Sequence, residues 1–411
     1  MSRSKVRLFG AKGFVSASVA LTLAACGGGS TGSVPPLTPP TPTGTVSHAM
    51  TLDLYPVESS STGPRLFMMV TAVGSQQVNM PLAFDTGSAG ITLYAEDIFP
   101  STLVSSAGFV IPAGQTSITY NGITVTNQQG VRKYGYVTNG RSQTGNIGYA
   151  TITFGNADGQ LTTQVMPVFL YYLITDNATG NPEPVPIQRG WFGVNSGPGL
   201  INVTNSTEPA GGYPVCAAST LGSCRVASVF KYFSYAPGLD AGFMLNPAAL
   251  QSCDITVADD CTPAPILTVG LNQAQEAGFS TSSLICPPST YVGPLTIQDF
   301  PVCQASIPNT TITLSGPVTG AFTAAPIFDT GNPAMVLLDP SSSSTPTVLP
   351  AGSMVMLSLP SGFIYNYSTT TQGMGTTTVS TTETTGIGIQ FFTTNSFFID
   401  FTTNTEGWRG S

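Results

Sequence analysis

Two four-residue runs hold the side chains best placed to do chemistry, Asp85-Thr86-Gly87-Ser88 and Asp329-Thr330-Gly331-Asn332. Each follows an apolar stretch that ends in Phe: Met80-Pro81-Leu82-Ala83-Phe84 in the first and Ala325-Pro326-Ile327-Phe328 in the second. Apolar residues resume at Ile91, Leu93 and Tyr94, and at Met335, Val336, Leu337 and Leu338. Both runs therefore read as a buried strand that stops at an acid, turns tightly at Gly and continues as a second strand. A carboxylate at the end of an apolar strand is expensive to bury alone, so the repeat points to two carboxylates brought face to face. Such a pair cannot ionise twice cheaply and shares one proton, which puts an acid and a base in one site. A single Asp-Thr-Gly, in a chain this rich in Thr and Gly, would read as an ordinary hairpin turn.

The repeat resembles the pepsin-like aspartic proteases, whose two lobes each contribute an Asp-Thr-Gly loop to one dyad. The resemblance implies an all-β, bilobal pepsin-like fold, with two related six-stranded-barrel-like lobes and the active-site cleft between them. It implies an endopeptidase in which Asp85 and Asp329 activate a water against an extended polypeptide, with no cofactor and no metal. Under it, Thr86 and Thr330 cross-bond the two loops, and the Ser88 hydroxyl hydrogen-bonds an Asp. Gly87 and Gly331 fit because the chain passes close to the carboxylates, where a β-carbon would obstruct it. Asn332 departs from the family, which has Ser or Thr there; its amide offers a similar donor, and Pro333 follows it. The alternative is a pepsin-like but catalytically silent surface lipoprotein that binds a peptide or protein partner.

The elements that must position these residues are legible in order. Pro64 to Val73 and Val78 to Phe84 read as the strand, hairpin and strand that deliver Asp85. Ile118 to Tyr120, Asn121-Gly122 and Ile123 to Val125 form a predicted hairpin, Asn-Gly being a strong turn signal. Lys133-Tyr134-Gly135-Tyr136 and the return from Thr144 to Gly155 resemble the family's flap, with Tyr134 the first choice for the flap tyrosine and Tyr136 the second. Val165 to Tyr172 reads as an apolar strand, followed by a polar insertion from Thr175 to Arg189. Gly190-Trp191-Phe192-Gly193-Val194 resembles the element that threads behind the first loop. In the second half, Pro265 to Gly270, Thr310 to Leu314, Val355 to Leu359 and Ile364 to Tyr367 read as strands. Thr369 to Thr385 is open between disorder and a surface hairpin. Gly388 to Phe392 and Phe397 to Phe401 resemble the family's final motif, with Ile389 where an acid is usual.

Composition bounds the rest. The chain has 411 residues, only 8% of them charged, with a formal net charge of -8, and no basic cluster beyond its first residues; this argues against nucleic acid as a partner. Arg3, Lys5, Arg7 and Lys12 precede an apolar run from Phe14 to Ala25, the layout of a secretory signal. Leu23-Ala24-Ala25-Cys26 before Gly27 resembles the bacterial lipoprotein signal, which makes Cys26 the lipidated residue and implies an outer-membrane lipoprotein of the cell envelope, periplasmic or surface-exposed. The other cysteines suggest disulfides in an exported protein. Sequence neighbours suggest Cys216 with Cys224, Cys253 with Cys261 and Cys286 with Cys303; a zinc site is the rival reading, against which stand the spacings and the single His48. The expected organisation is a signal at 1–26, a flexible tether at 27–47, an N-terminal lobe at 48–215, a disulfide-containing inter-lobe insertion at 216–264 and a C-terminal lobe at 265–411. The protein is expected to act as a monomer.

Overall fold

A computed structural model describes residues 44–58, 63–135, 140–197, 199–204, 223–286, 303, 306–341, 345–381 and 384–410. Strands dominate these residues, and the one α-helix among them is the single turn Gln273–Glu276. The predicted signal, Cys26 and the predicted tether up to residue 43 lie outside them, as do Tyr136 and Cys216; the last expected tether residues are instead part of the body, where Thr45–Val46 pairs in parallel with Ser234–Tyr235 and Val46 is fully buried. Among the described residues no helix is long and apolar enough to cross a membrane.

A six-stranded antiparallel sheet joins the two halves. Its order is Met50–Val57, Ala264–Leu271, Asp240–Leu245, Asn395–Asp400, Thr405–Gly410 and Ser280–Ser283. Met50–Val57 serves both sides, because Met50 pairs with Val269 at one end while Tyr55 pairs with Phe67 at the other. Part of the stretch expected as a surface insertion is thus core. Phe230 and Phe243 are fully buried, and the strand from Asp240 lies inside the sheet. The alternation that would mark a strand is hidden there by Pro237-Gly238 ahead of it, Gly242 within it and Pro247 behind it.

In the first half, Arg65–Val73 and Gln76–Asp85 form the predicted hairpin. Gly190–Val194 then runs parallel to the end of Gln76–Asp85 and antiparallel to Ala89–Tyr94, so it threads between the two arms of the first Asp loop. Asn121 and Gly122 take φ values of 46° and 74° between Ser117–Tyr120 and Ile123–Tyr134. That is the doubly left-handed turn that Asn-Gly favours.

The second half repeats the device with shorter pieces. Ile327–Phe328, Gly386–Ile387, Met335–Leu338, Thr377–Ser380 and Thr347–Val348 form a five-stranded sheet, in that order. Gly386–Ile387 runs parallel to Ile327–Phe328 and antiparallel to Met335–Leu338. The Thr-rich tract 369–385 is therefore neither disordered nor a surface hairpin where it is described: Thr377 and Ser380 are buried inside this sheet. Their hydroxyls make burial affordable by hydrogen bonding, as between Tyr367 Oη and Thr377 Oγ1 at 3.1 Å.

The Phe before each acid anchors its loop. Phe84 is stacked on Phe192 at 5.9 Å and meets Phe243 edge-on at 5.9 Å. Phe328 packs against Phe391 at 4.7 Å, Trp408 at 5.4 Å and Phe397 at 5.9 Å. Aromatic pairs contribute about 0.5 to 1.5 kcal/mol beyond area burial, so the residue preceding each carboxylate is held from several sides. Two of the suggested disulfides are present, Cys253–Cys261 and Cys286–Cys303. The pairing of Cys216 with Cys224 falls outside the described side chains.

Candidate active site

The two Asp loops meet across a local two-fold. Thr86 N–H donates to Thr330 Oγ1 at 3.0 Å, and Thr330 N–H donates to Thr86 Oγ1 at 3.0 Å. Each hydroxyl then crosses to the other strand, Thr86 Oγ1 donating to Phe328 O at 2.7 Å and Thr330 Oγ1 to Phe84 O at 2.6 Å. Both threonines are buried. The carboxylates are consequently held by backbone that neither half can move alone.

The Asp85 and Asp329 carboxyls lie side by side, both within reach of a β-carbon placed on Gly331. Asp85 is buried and accepts from Gly87 N–H at 2.8 Å, Ser88 N–H at 3.2 Å and Ser88 Oγ. Asp329 accepts from Gly331 N–H at 2.8 Å. Removal from water, followed by the charge and hydrogen bond of Asp85, holds the Asp329 carboxyl well above the usual carboxylate range; Gly331 N–H and Arg65 oppose this. Held high in this way, the Asp329 carboxyl is the group of the site that keeps a proton most readily. A β-carbon on Gly331 would lie 2.7 Å from Asp85 Oδ1, and one on Gly87 would fall inside the Asp329 carboxylate.

Asn332 is buried beside the second loop. Its Oδ1 accepts from Ala334 N–H at 3.3 Å, and its carbonyl accepts from Ile389 N–H at 2.9 Å. The side-chain oxygen thus caps its own turn ahead of the Met335–Leu338 strand.

A cleft of about 780 Å³ contains both carboxylates and is lined also by Tyr134, Trp191 and Arg65. Tyr134 ends the strand Ile123–Tyr134, which pairs with Arg141–Ala150 to make a hairpin that borders the cleft. Gly135, with φ 81°, turns the chain out of that strand. The Tyr134 ring lies 5.7 Å from Trp191, and removal from water pushes its hydroxyl up to about 12, so it remains a donor at ordinary pH. The polar insertion supplies another wall through Glu183 to Pro186 and Gln188.

Three contributors to the site are not singled out by sequence reasoning. Arg65 donates through Nη1 to Gly331 O and lies over the Trp191 ring at 5.2 Å, tying the first half to the second Asp loop. Asn195 Nδ2 donates to Thr86 O at 2.7 Å. Gly386-Ile387-Gly388 threads the second loop, with Asp329 N–H donating to Ile387 O at 2.8 Å. Its signal is the match of Gly386-Ile387-Gly388 to the Gly190–Gly193 element, obscured by the surrounding Thr. Away from this cleft, the carboxylates of Asp240, Glu276 and Asp400 come within 4.8 Å of one another. The oxygens of Asp400 are engaged by Thr402 N–H, Thr403 N–H and Thr403 Oγ1.

Comparison with known proteins gives the fold its class. No family model matches the chain, and no curated protein does. Among solved structures, the aspartic proteinase from Irpex lacteus is similar over 89% of this chain and 98% of its own, with a TM-score of 0.50 at 12% identity. The chain has the bilobal pepsin-like fold.

Proposed function

We propose that this protein is an aspartic endopeptidase whose dyad is Asp85 and Asp329. The observation that supports it is the juxtaposition of the two carboxyls, held on loops cross-bonded by Thr86 and Thr330 at the floor of an open cleft. A water lying between the carboxylates gives a proton to Asp85 as it attacks the scissile carbonyl. Asp329, which holds the pair's proton, donates it to the carbonyl oxygen, and the resulting tetrahedral species collapses with a proton passed to the leaving amine. Thr86, Gly87, Ser88, Thr330, Gly331 and Asn332 keep the carboxylates in register. Tyr134 covers the bound peptide, and its hydroxyl provides a donor on the flap side. The substrate is a loop or unfolded segment bound extended, with main-chain hydrogen bonds to the flap.

In the same reading the chain is exported in a bacterium, lipidated at Cys26 and carried as a monomer on the outer membrane, with the stretch from residue 27 to 43 as the tether. The support is the Leu23-Ala24-Ala25-Cys26-Gly27 pattern. The deciding experiment exposes an unbiased peptide library to the full chain across about pH 3 to 8, beside folded Asp85→Asn and Asp329→Asn variants. Cleavage by the parent that both variants lose is the expected result. A folded parent that cleaves nothing in this range would overturn the proposal in favour of a peptide-binding protein.

A further inference from the structure

Cations are scarce in this chain, yet they gather in the cleft. It has 12 Lys and Arg against 20 Asp and Glu, and Arg3, Lys5, Arg7 and Lys12 precede the described body. Of the others, Arg65, Arg132, Lys133 and Arg141 all line the one cleft. Charges of one sign on low-dielectric walls focus their field into the space between them. The acids lining the same space are Asp85, Asp329 and Glu183, and Glu183 is engaged by Arg141 at 3.3 Å.

Arg132 is the unusual member. It lies on the flap strand two residues before Tyr134, on the same face of the strand, and is 5% exposed. Its guanidinium makes one long bond, Nη2 to Ala89 O at 3.4 Å, and Nη1 has no hydrogen-bond partner among the described residues. No carboxylate among those residues forms an ion pair with it. Asp85 is near enough to act on its charge, but the hydrogen bonds to the Asp85 oxygens come from Gly87 and Ser88. A buried guanidinium with an unused fork is costly, and a planar anion is the group that satisfies it bidentately.

We infer that Arg132, with Arg65 beside the dyad as a second positive charge, forms a subsite for a carboxylate of the bound peptide, so that the cleft selects acidic segments. This rests on the cleft being the peptide site proposed above. An incoming carboxylate supplies the partner that Nη1 lacks, and seats the flap strand over the peptide. The carboxylate belongs to an internal Asp or Glu side chain or to the chain terminus, and the two sources are separable by synthesis.

The test uses the full chain carrying Asp329→Asn, which binds without cutting, and fluorescent octapeptides in which one Glu is moved along the sequence. Each peptide has a Gln twin, and each is made with a free and an amidated C-terminus. Fluorescence anisotropy at about pH 6 is expected to show one Glu position binding about tenfold to a hundredfold tighter than its Gln twin. That ratio should fall towards one as pH drops below about 4.3, where the peptide's own Glu is protonated. Arg132→Gln should abolish the ratio. If that variant does not fold, Arg132→Lys, which keeps charge and loses the fork, should reduce it several-fold. A preference that follows the free C-terminus instead keeps the subsite and assigns it the terminal carboxylate.

Equal binding of Glu and Gln twins at every position, with no effect of amidation, overturns the inference. So does a preference that survives Arg132→Gln, or a variant that weakens both twins alike, which is the mark of a merely structural arginine. Cleavage of the Gln twins by the parent chain is scored separately. A parent that cuts neutral peptides without acidic preference refutes the subsite and leaves the endopeptidase intact, whereas selective binding without any cutting refutes the endopeptidase and retains the subsite.

Discussion

Replacing Thr330 with Val keeps the shape of the side chain and removes its oxygen from the centre of the two-fold. The structure assigns that oxygen two bonds, accepting from Thr86 N–H at 3.0 Å and donating to Phe84 O at 2.6 Å. Both partners lie in the buried floor of the cleft, where water cannot replace the lost group. Orphaning a buried polar group costs about 1 to 3 kcal/mol, so Thr330→Val should destabilise the protein by about 2 to 6 kcal/mol, a fall in Tm of about 3 to 8 °C for a body of this size. Thr86→Val removes the mirror-image pair of bonds, to Thr330 N–H and Phe328 O, and should cost the same within about 1 kcal/mol. The double variant should cost less than the sum, because the first substitution already breaks the framework that the second weakens. Thermal and urea denaturation of the four proteins measures all three quantities, and peptide cleavage by the same samples should drop with either single change. Strict additivity, or one substitution tolerated while the other is not, would refute the claim that the two loops are held by one reciprocal lock.

Three further outcomes are expected. Folded Asp329 keeps its proton at pH values where the unfolded chain has released it, so the linked stability is greatest below about pH 4 and declines as pH rises towards the raised folded value; Asp329→Asn should flatten that decline in urea midpoints taken from pH 4 to 7. Glu406 is 2% exposed, its Oε2 lacks a partner among the described residues, and burial holds its carboxyl well above the usual range. By the same sign, Glu406→Gln should stabilise at pH 7 and do little at pH 4, read by the same denaturation series. Opening the Cys253–Cys261 bridge, which spans 8 positions, by changing both residues to Ser should cost about 2.5 kcal/mol, seen as a lower melting temperature than the oxidised parent.

The parts of this molecule legible in its sequence are those where burial and punctuation coincide. Phe84-Asp85-Thr86-Gly87 and Phe328-Asp329-Thr330-Gly331 join an apolar strand to a turn, and the structure brings the two together. The hairpin at Asn121-Gly122 and the threading strand Gly190–Val194 are legible for the same reason. The second threading strand is not, because its two residues sit in a Thr-rich tract without period, and its pairing is made by backbone. Thr385 Oγ1 accepts Leu338 N–H at 2.9 Å there, a satisfied burial that a polarity scale counts as surface. Arg132 escapes for the opposite reason. A cation in an alternating strand reads as solvent-facing, and only the folded flap turns it inward. The Asp240–Leu245 strand hides because its partners, Ala264–Leu271 and Asn395–Asp400, come later in the chain.

That last arrangement also sets a schedule. Synthesis releases Asp85 early, but Met50, in the strand that leads to it, has Val269 as its partner, and Gly242 waits for Asp400. Phe328, which fixes the second acid, is packed only once Phe397 and Trp408 have emerged. Contacts so distant in sequence form slowly and late. A chain interrupted between residues 330 and 395 would hold both acids without the strands that pack behind Phe328, so the two carboxylates come together only when the closing strands dock.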